Sequence, residues 1–175
     1  MRIEADSVLS FPRERVFRAY RDELPAFTEH LPNVRAIEVK SRADEGLRTV
    51  LHNVWHGGGE IPAPLVKLLG DASLSWDDLA TWDETAWSVS WDIRTSLFTE
   101  AVSCGGKNAF IALGADRTRL EIQGDISIDV KKVRGLPSFL AGSISKTVES
   151  FLVKQITANL TTVSSALTKH LQANG

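Results

Sequence analysis

His52 and His56, four residues apart, are the first residues whose types and spacing could do chemistry. On a helix that spacing would set two imidazoles on one face and suit a zinc site. The pair lies in Leu47–His56, which reads as a strand, and there the same spacing separates the Cα atoms by roughly 13 Å, too far to share one ion. No metal site is expected. His52 and His56 share a strand face with Val50 and Val54, so if that face is the concave one, either imidazole becomes a polar group in a pocket. Asp77-Asp78 and Asp83-Glu84 are adjacent acids flanking tryptophan-bearing strands. Neighbours on a strand point to opposite faces, and both pairs read as solvated turns. Cys104 precedes Gly105-Gly106 with no histidine nearby in sequence, and reads as a small buried hydrophobe and not as a nucleophile. Gly57-Gly58-Gly59 lacks both the Lys-Ser/Thr end of a phosphate loop and the dinucleotide spacing, so it reads as a flexible joint. Asp92 and Arg94 fall on the wet face of their strand. No catalytic residue is assigned and no cofactor is implied.

The elements that must position these residues follow from periodicity. Ser143 to Gln172 contains neither Gly nor Pro. It carries Ile144, Val148, Phe151, Leu152, Ile156, Leu160, Val163, Leu167 and Leu171 at spacings of three and four, the pattern of an amphipathic helix about 45 Å long. From about Val34 to Val130 the chain reads as strands and turns. A long helix after a run of strands must bury its apolar stripe on the sheet, and a sheet that wraps one helix tends to leave a space beneath it. Ahead of this, Arg2 to Leu9 is a strand with Ile3, Ala5, Ser7 and Leu9 on one face. Pro12 then opens a helix carrying Val16, Phe17, Tyr20 and Leu24. Pro25 and Pro32 bracket a short second helix over Ala26 to Leu31. Strands Val34–Ser41 and Leu47–His56 join at Ala43-Asp44-Glu45-Gly46, and Ile61 to Gly70 reads as a short apolar helix started by Pro64. Further strands are expected near Ala72–Trp82, Thr85–Thr95, Thr99–Leu113 and Thr118–Val130.

Alternation within these strands names candidate ligand-binding residues. Trp87, Val89, Trp91 and Ile93 share one face of Thr85–Thr95, and Leu120, Ile122, Gly124, Ile126, Ile128 and Val130 share one face of Thr118–Val130. Gly124 removes side-chain volume from that dry face, leaving a bend or room for a ligand. Phe151 and Leu152 face it from the terminal helix. With Trp55, Trp76 and Trp82, five tryptophans lie in or beside the strands, as ordinary core or as pocket walls. A gate is expected at Gly57, Gly58, Gly59, Ile61, Leu65 and Leu68, either a fixed cap or a movable lid.

Composition narrows the class. A chain of 175 residues, 43% hydrophobic and 24% charged, fits one domain over 1–175. A net charge of −2 with interspersed signs lacks the basic stripe that nucleic acid demands. One cysteine makes no internal disulfide and suits a cytoplasmic location. No signal peptide and no integral membrane segment are visible, which leaves transient membrane contact open. The oligomeric state is not legible.

The order of elements resembles the helix-grip fold of the START/Bet v 1-like superfamily, SRPBCC. The resemblance rests on Phe11-Pro12-Arg13-Glu14-Arg15-Val16-Phe17 after the first strand, on Ala115-Asp116-Arg117-Thr118-Arg119-Leu120 entering the last strand, and on the closing helix. Within it, Ile61 to Gly70 and Leu140-Ala141-Gly142-Ser143-Ile144 are similar to an uncharacterised bacterial START-like family. The resemblance implies an α+β fold, a curved antiparallel sheet wrapped around a long C-terminal helix. The superfamily includes lipid carriers, hormone receptors, aromatase/cyclases and chaperone co-factors. The expected function is binding or transport of a small hydrophobic ligand, lipid or polycyclic, between sheet and helix. The alternative is a polyketide cyclase/aromatase-like or hydrolytic enzyme using the same cavity, which needs His52, His56 or Tyr20 to project inward with a perturbed pKa. A protein-interaction module is a third option.

Overall fold

A computed structural model describes residues 1–31, 33–58, 74–96, 99–129, 132 and 141–174, apart from the side chains of 141–149, 152, 155 and 156. The strands are β1 (Arg2–Leu9), β2 (Val34–Glu45), β3 (Arg48–Gly57), β4 (Ser75–Asp83), β5 (Ser88–Thr95), β6 (Val102–Ala112) and β7 (Thr118–Ile128). The helices are α1 (Arg13–Asp22) and α2 (Ala141–Ala173), with a 3₁₀ segment at Leu24–His30. The strands form one antiparallel sheet in the order β1-β7-β6-β5-β4-β3-β2. β1 and β2 are therefore opposite edges, bridged by α1 and the 3₁₀ segment. From β2 the chain meanders back, strand by strand, until β7 closes against β1.

Local chemistry accounts for this. In β1 the odd positions turn inward, with Ile3 and Leu9 buried and Arg2, Glu4, Asp6 and Val8 exposed. Pro12, at the cap position before α1, has extended backbone and no N–H to lose, and its carbonyl accepts bonds from the N–H groups of Arg15 and Val16. α1 buries Val16, Phe17, Ala19 and Tyr20. Pro25 leaves only a 3₁₀ segment where the sequence predicts a short helix, and its Leu24 and Phe27 are buried. Along α2, Phe151, Asn159, Val163, Ala166, Leu167, His170 and Leu171 are buried at helical spacing. The helix docks on the 3₁₀ segment, α1, β1 and β7. Phe17 ties the layers together, its ring edge-on to Trp82 at 5.1 Å, Phe110 at 5.1 Å and Trp87 at 5.3 Å.

Two turns differ from the sequence reading. The β2–β3 turn is Gly46-Leu47, where Gly46 takes the positive φ of 67° that a tight turn requires, so β2 extends through Asp44 and Glu45. Those outer residues of β2, Lys40, Arg42, Asp44 and Glu45, are charged and exposed on a sheet edge, which blunts pairing with another chain. Trp87 is not a strand residue. It ends the β4–β5 turn with φ 48°, and Asp83 Oδ1 organises that turn by accepting the N–H groups of Thr85 and Ala86, both at 2.9 Å. Asp83-Glu84 is thus a turn, as read from sequence. The expected helix at Ile61–Gly70 lies outside the described residues. No helix among the described residues is long and apolar enough to cross a membrane.

Candidate functional site

A pocket opens between the inward faces of β3, β4 and β5 and the middle of α2. Its depth is lined by tryptophan: Trp55 from β3, Trp76 and Trp82 from β4, and Trp91 from β5. Val89, Ile93 and Ala80 fill between them, and Leu160 and Val163 of α2 close the opposite side. The pocket measures about 60 Å³, room for several water molecules at the ~10–15 Å³ that one water needs, or for a small organic group. Cross-strand register explains why these residues meet. Trp55 lies opposite Trp76, Ala80 opposite Trp91, and Trp82 opposite Val89, so inward positions of three consecutive strands combine into one wall.

Polar groups are set into this wall. Asn53 and Asp78 face each other across β3 and β4. Asp78 Oδ2 accepts Asn53 Nδ2–H at 3.1 Å and the indole N–H of Trp55 at 3.4 Å. Burial pushes the Asp78 carboxyl above the usual carboxylate range, against the lowering effect of its two hydrogen bonds and of His52 beyond the sheet. Its remaining accessible surface borders the pocket. Beside it, Trp91 donates its indole N–H to Asn108 Oδ1 at 2.8 Å, and Asn108 Nδ2 donates to the Tyr20 hydroxyl at 3.4 Å. Burial first, and the Asp78 charge second, raise the Tyr20 phenol so that it stays protonated. Asn53 Oδ1, Trp82 Nε1, Thr95 Oγ1 and Asn159 Oδ1 are buried on this wall without a hydrogen-bond partner among the described residues.

The residues singled out by sequence divide in two. Val89, Trp91 and Ile93 line the pocket. Trp87 does not: it packs against Phe17, with the Arg13 guanidinium 4.1 Å from its ring centroid. Ile122, Ile126 and, on α2, Phe151 are buried in the core but are not among the residues that line this pocket. The Leu152 side chain lies outside the described residues. Gly124 provides no room. It pairs with Gly106 across β6 and β7, and the Trp91 ring occupies the ground both glycines leave: a Cβ at Gly124 would fall 2.6 Å from Trp91 Cη2.

His52 and His56 are on the outer face, opposite to the pocket. His52 Nε2 pairs with Asp77 Oδ1 at 2.6 Å and His56 Nε2 with Glu38 Oε1 at 3.2 Å, all four side chains partly exposed. The reason is parity: Leu51, Asn53 and Trp55 point inward, so the even-numbered residues of β3 point out. Asp77-Asp78 is likewise no turn. It lies inside β4, with Asp77 outward and Asp78 inward. Of the gate residues, Gly57 and Gly58 close β3, their N–H groups donating to Leu74 O at 2.7 Å and Asn33 O at 2.9 Å. Gly59, Ile61, Leu65 and Leu68 lie outside the described residues. Cys104 is buried between Ile93 and Ile126, its thiol pushed up to about 12 chiefly by that burial and so kept unreactive.

No protein-family model matches the chain, and no curated protein matches its sequence. Solved structures do match its shape. TTHA0849 from Thermus thermophilus is 19% identical with a TM-score of 0.63, covering 100% of both chains. The Zhui aromatase/cyclase from Streptomyces sp. R1128 is 14% identical with a TM-score of 0.65, covering 100% of this chain and 98% of that one. A START superfamily protein from Mycobacterium smegmatis is 11% identical with a TM-score of 0.55, covering 99% of each. These similarities show the helix-grip fold: a curved seven-stranded antiparallel sheet with a C-terminal helix.

Proposed function

We propose that the protein binds a small, largely apolar ligand in the pocket between β3–β5 and α2. The observation that carries this is the set of polar atoms without partners among the described residues on an otherwise aromatic wall. Each buried group left unpaired costs about 1–3 kcal/mol, so a wall that carries several of them together favours a ligand that pairs them. A concave apolar site with a few convergent polar groups is the usual form of a small-molecule pocket. Carriers and enzymes share that form. Asp78, a carboxyl of raised pKa bordering the space, is the group that would serve proton transfer under the second reading, that of a cyclase-like enzyme on this fold. The aromatase/cyclase among the structural neighbours supports keeping that reading.

The test is titration with the environment-sensitive dye N-phenylnaphthylamine. Wild type is expected to bind it with a blue-shifted emission. Ala80→Phe, which fills the pocket from the floor of β4 at a stability cost of about 1–3 kcal/mol, should abolish binding. Equal binding by a folded Ala80→Phe protein would refute the site. Turnover of a bound compound by wild type but not by Asp78→Asn would favour the enzyme.

A further inference from the structure

We propose that the ligand of this pocket carries an ammonium or comparably N–H-rich cationic group, seated against Asp78 and Asn53 and flanked by indole faces. The inference rests on the reading of the pocket as a ligand site and names the chemistry of what enters it. Its first ground is charge. Among the described lining residues Asp78 is the one carboxylic acid, and neither Lys, Arg nor His lines the space. Both hydrogen bonds to Asp78 fall on Oδ2, which leaves Oδ1 for a donor from the pocket.

The second ground is the polarity of the unpaired atoms. Asn53 is 2% exposed, and because its Nδ2 is committed to Asp78, its Oδ1 is oriented as an acceptor. Asn159 Oδ1, in a residue of α2 that is 7% exposed and lines the same pocket, is a further acceptor without a partner among the described residues. Thr95 Oγ1 can serve either way, and Trp82 Nε1 is a donor. The acceptor Asn53 Oδ1, fixed beside Asp78, therefore suits a ligand that brings N–H donors. The third ground is the aromatic lining. Trp55, Trp76, Trp82, Trp91 and Tyr20 line the same pocket as the carboxyl, and the negative faces of such rings attract organic cations, most strongly in a desolvated site. A fatty carboxylate or a phosphate ester would instead meet Asp78 as a like charge, with no Lys, Arg or His among the described lining residues to offset it.

The test compares phenylbutylamine with phenylbutanol, a matched pair differing in the charged terminus, by calorimetric titration at neutral pH. The amine should bind wild type at least about tenfold more tightly than the alcohol. In Asp78→Asn, which keeps an oxygen to accept from Asn53 and Trp55, the amine should lose at least about tenfold while the alcohol is unchanged. Equal or tighter binding of the alcohol by wild type would overturn the inference and leave the pocket assignment standing. Binding of neither compound, together with no dye binding, would overturn both. The wild-type ratio needs no variant to fold.

Discussion

The two halves of the sheet do opposite things with the same kind of inward face. Under β1 and β7 the described residues pack closely: Ile3, Leu9, Leu120, Ile122 and Ile126 are at most 2% exposed, and the gap at Gly124 and its β6 neighbour Gly106 is filled by the Trp91 ring. Under β3, β4 and β5 the wall is aromatic, built on four tryptophans, and interrupted by Asn53, Asp78 and Thr95, and there the space stays open. The difference teaches that small residues in a strand do not mark a pocket when a large side chain on the next strand lies in register with them. Buried polar residues in register with one another do.

This contrast breaks most sharply at Gly124. Leucine there would meet both Trp91 and the Gly105 carbonyl, 2.9 Å from the new Cβ, so Gly124→Leu should destabilise the protein by about 3 kcal/mol in denaturant unfolding. A near-neutral result would mean that the β7 half has slack. Next, Asn108→Leu orphans the Trp91 indole N–H and should cost about 1–3 kcal/mol, with the Trp91 ring loosened over its glycines.

Smaller and opposite in sign is the effect of Asp78→Asn on stability. The folded protein raises the Asp78 pKa, so the native state holds that proton more tightly than the unfolded chain. Wild-type stability therefore falls as pH climbs from the ordinary carboxylate range to the raised value, and stays lower above it. Asp78→Asn carries no such loss. It should be the more stable protein at neutral pH, with the difference shrinking as pH drops from the raised value to the ordinary carboxylate range and gone below it; a variant less stable at neutral pH would contradict the placement of Asp78. A carboxyl that costs stability on a pocket wall is the expected mark of a functional group. Smallest of all, His52→Ala with His56→Ala should change stability by no more than about 1 kcal/mol and leave dye binding untouched, because both imidazoles make exposed pairs on the outer face.

Much of the fold is legible because long periodic elements carry their own signal. The stripe of α2 and the inward sets Val89/Trp91/Ile93 and Ile3/Leu9 are strict enough to leave one reading. The polar half of the site is hidden by chemistry that resembles turns. Asp77-Asp78 looks like a loop, yet Trp76, Asp78, Ala80 and Trp82 alternate as cleanly as β5 does, and that parity puts Asp78 among tryptophans. In β3 the signal is balanced: Leu51, Asn53 and Trp55 compete with Val50, His52, Val54 and His56, and neither face is apolar throughout. Only pairing with β4 decides it. Alternation misplaces Trp87 because the turn that Asp83 organises runs through Trp87, so the strand starts at Ser88 and not at Thr85.

The five tryptophan indole N–H groups make the pocket directly observable. In a ¹⁵N-resolved NMR titration with phenylbutylamine, the Trp82 indole, buried on the wall without a protein partner among the described residues, should shift most, followed by Trp55, which donates to Asp78. Trp87, packed between Arg13 and Phe17 on the far side of the turn, should not move. Shifts at Trp87 with Trp82 and Trp55 unchanged would place the ligand elsewhere and contradict the assignment of the β3–β5 wall as the binding site.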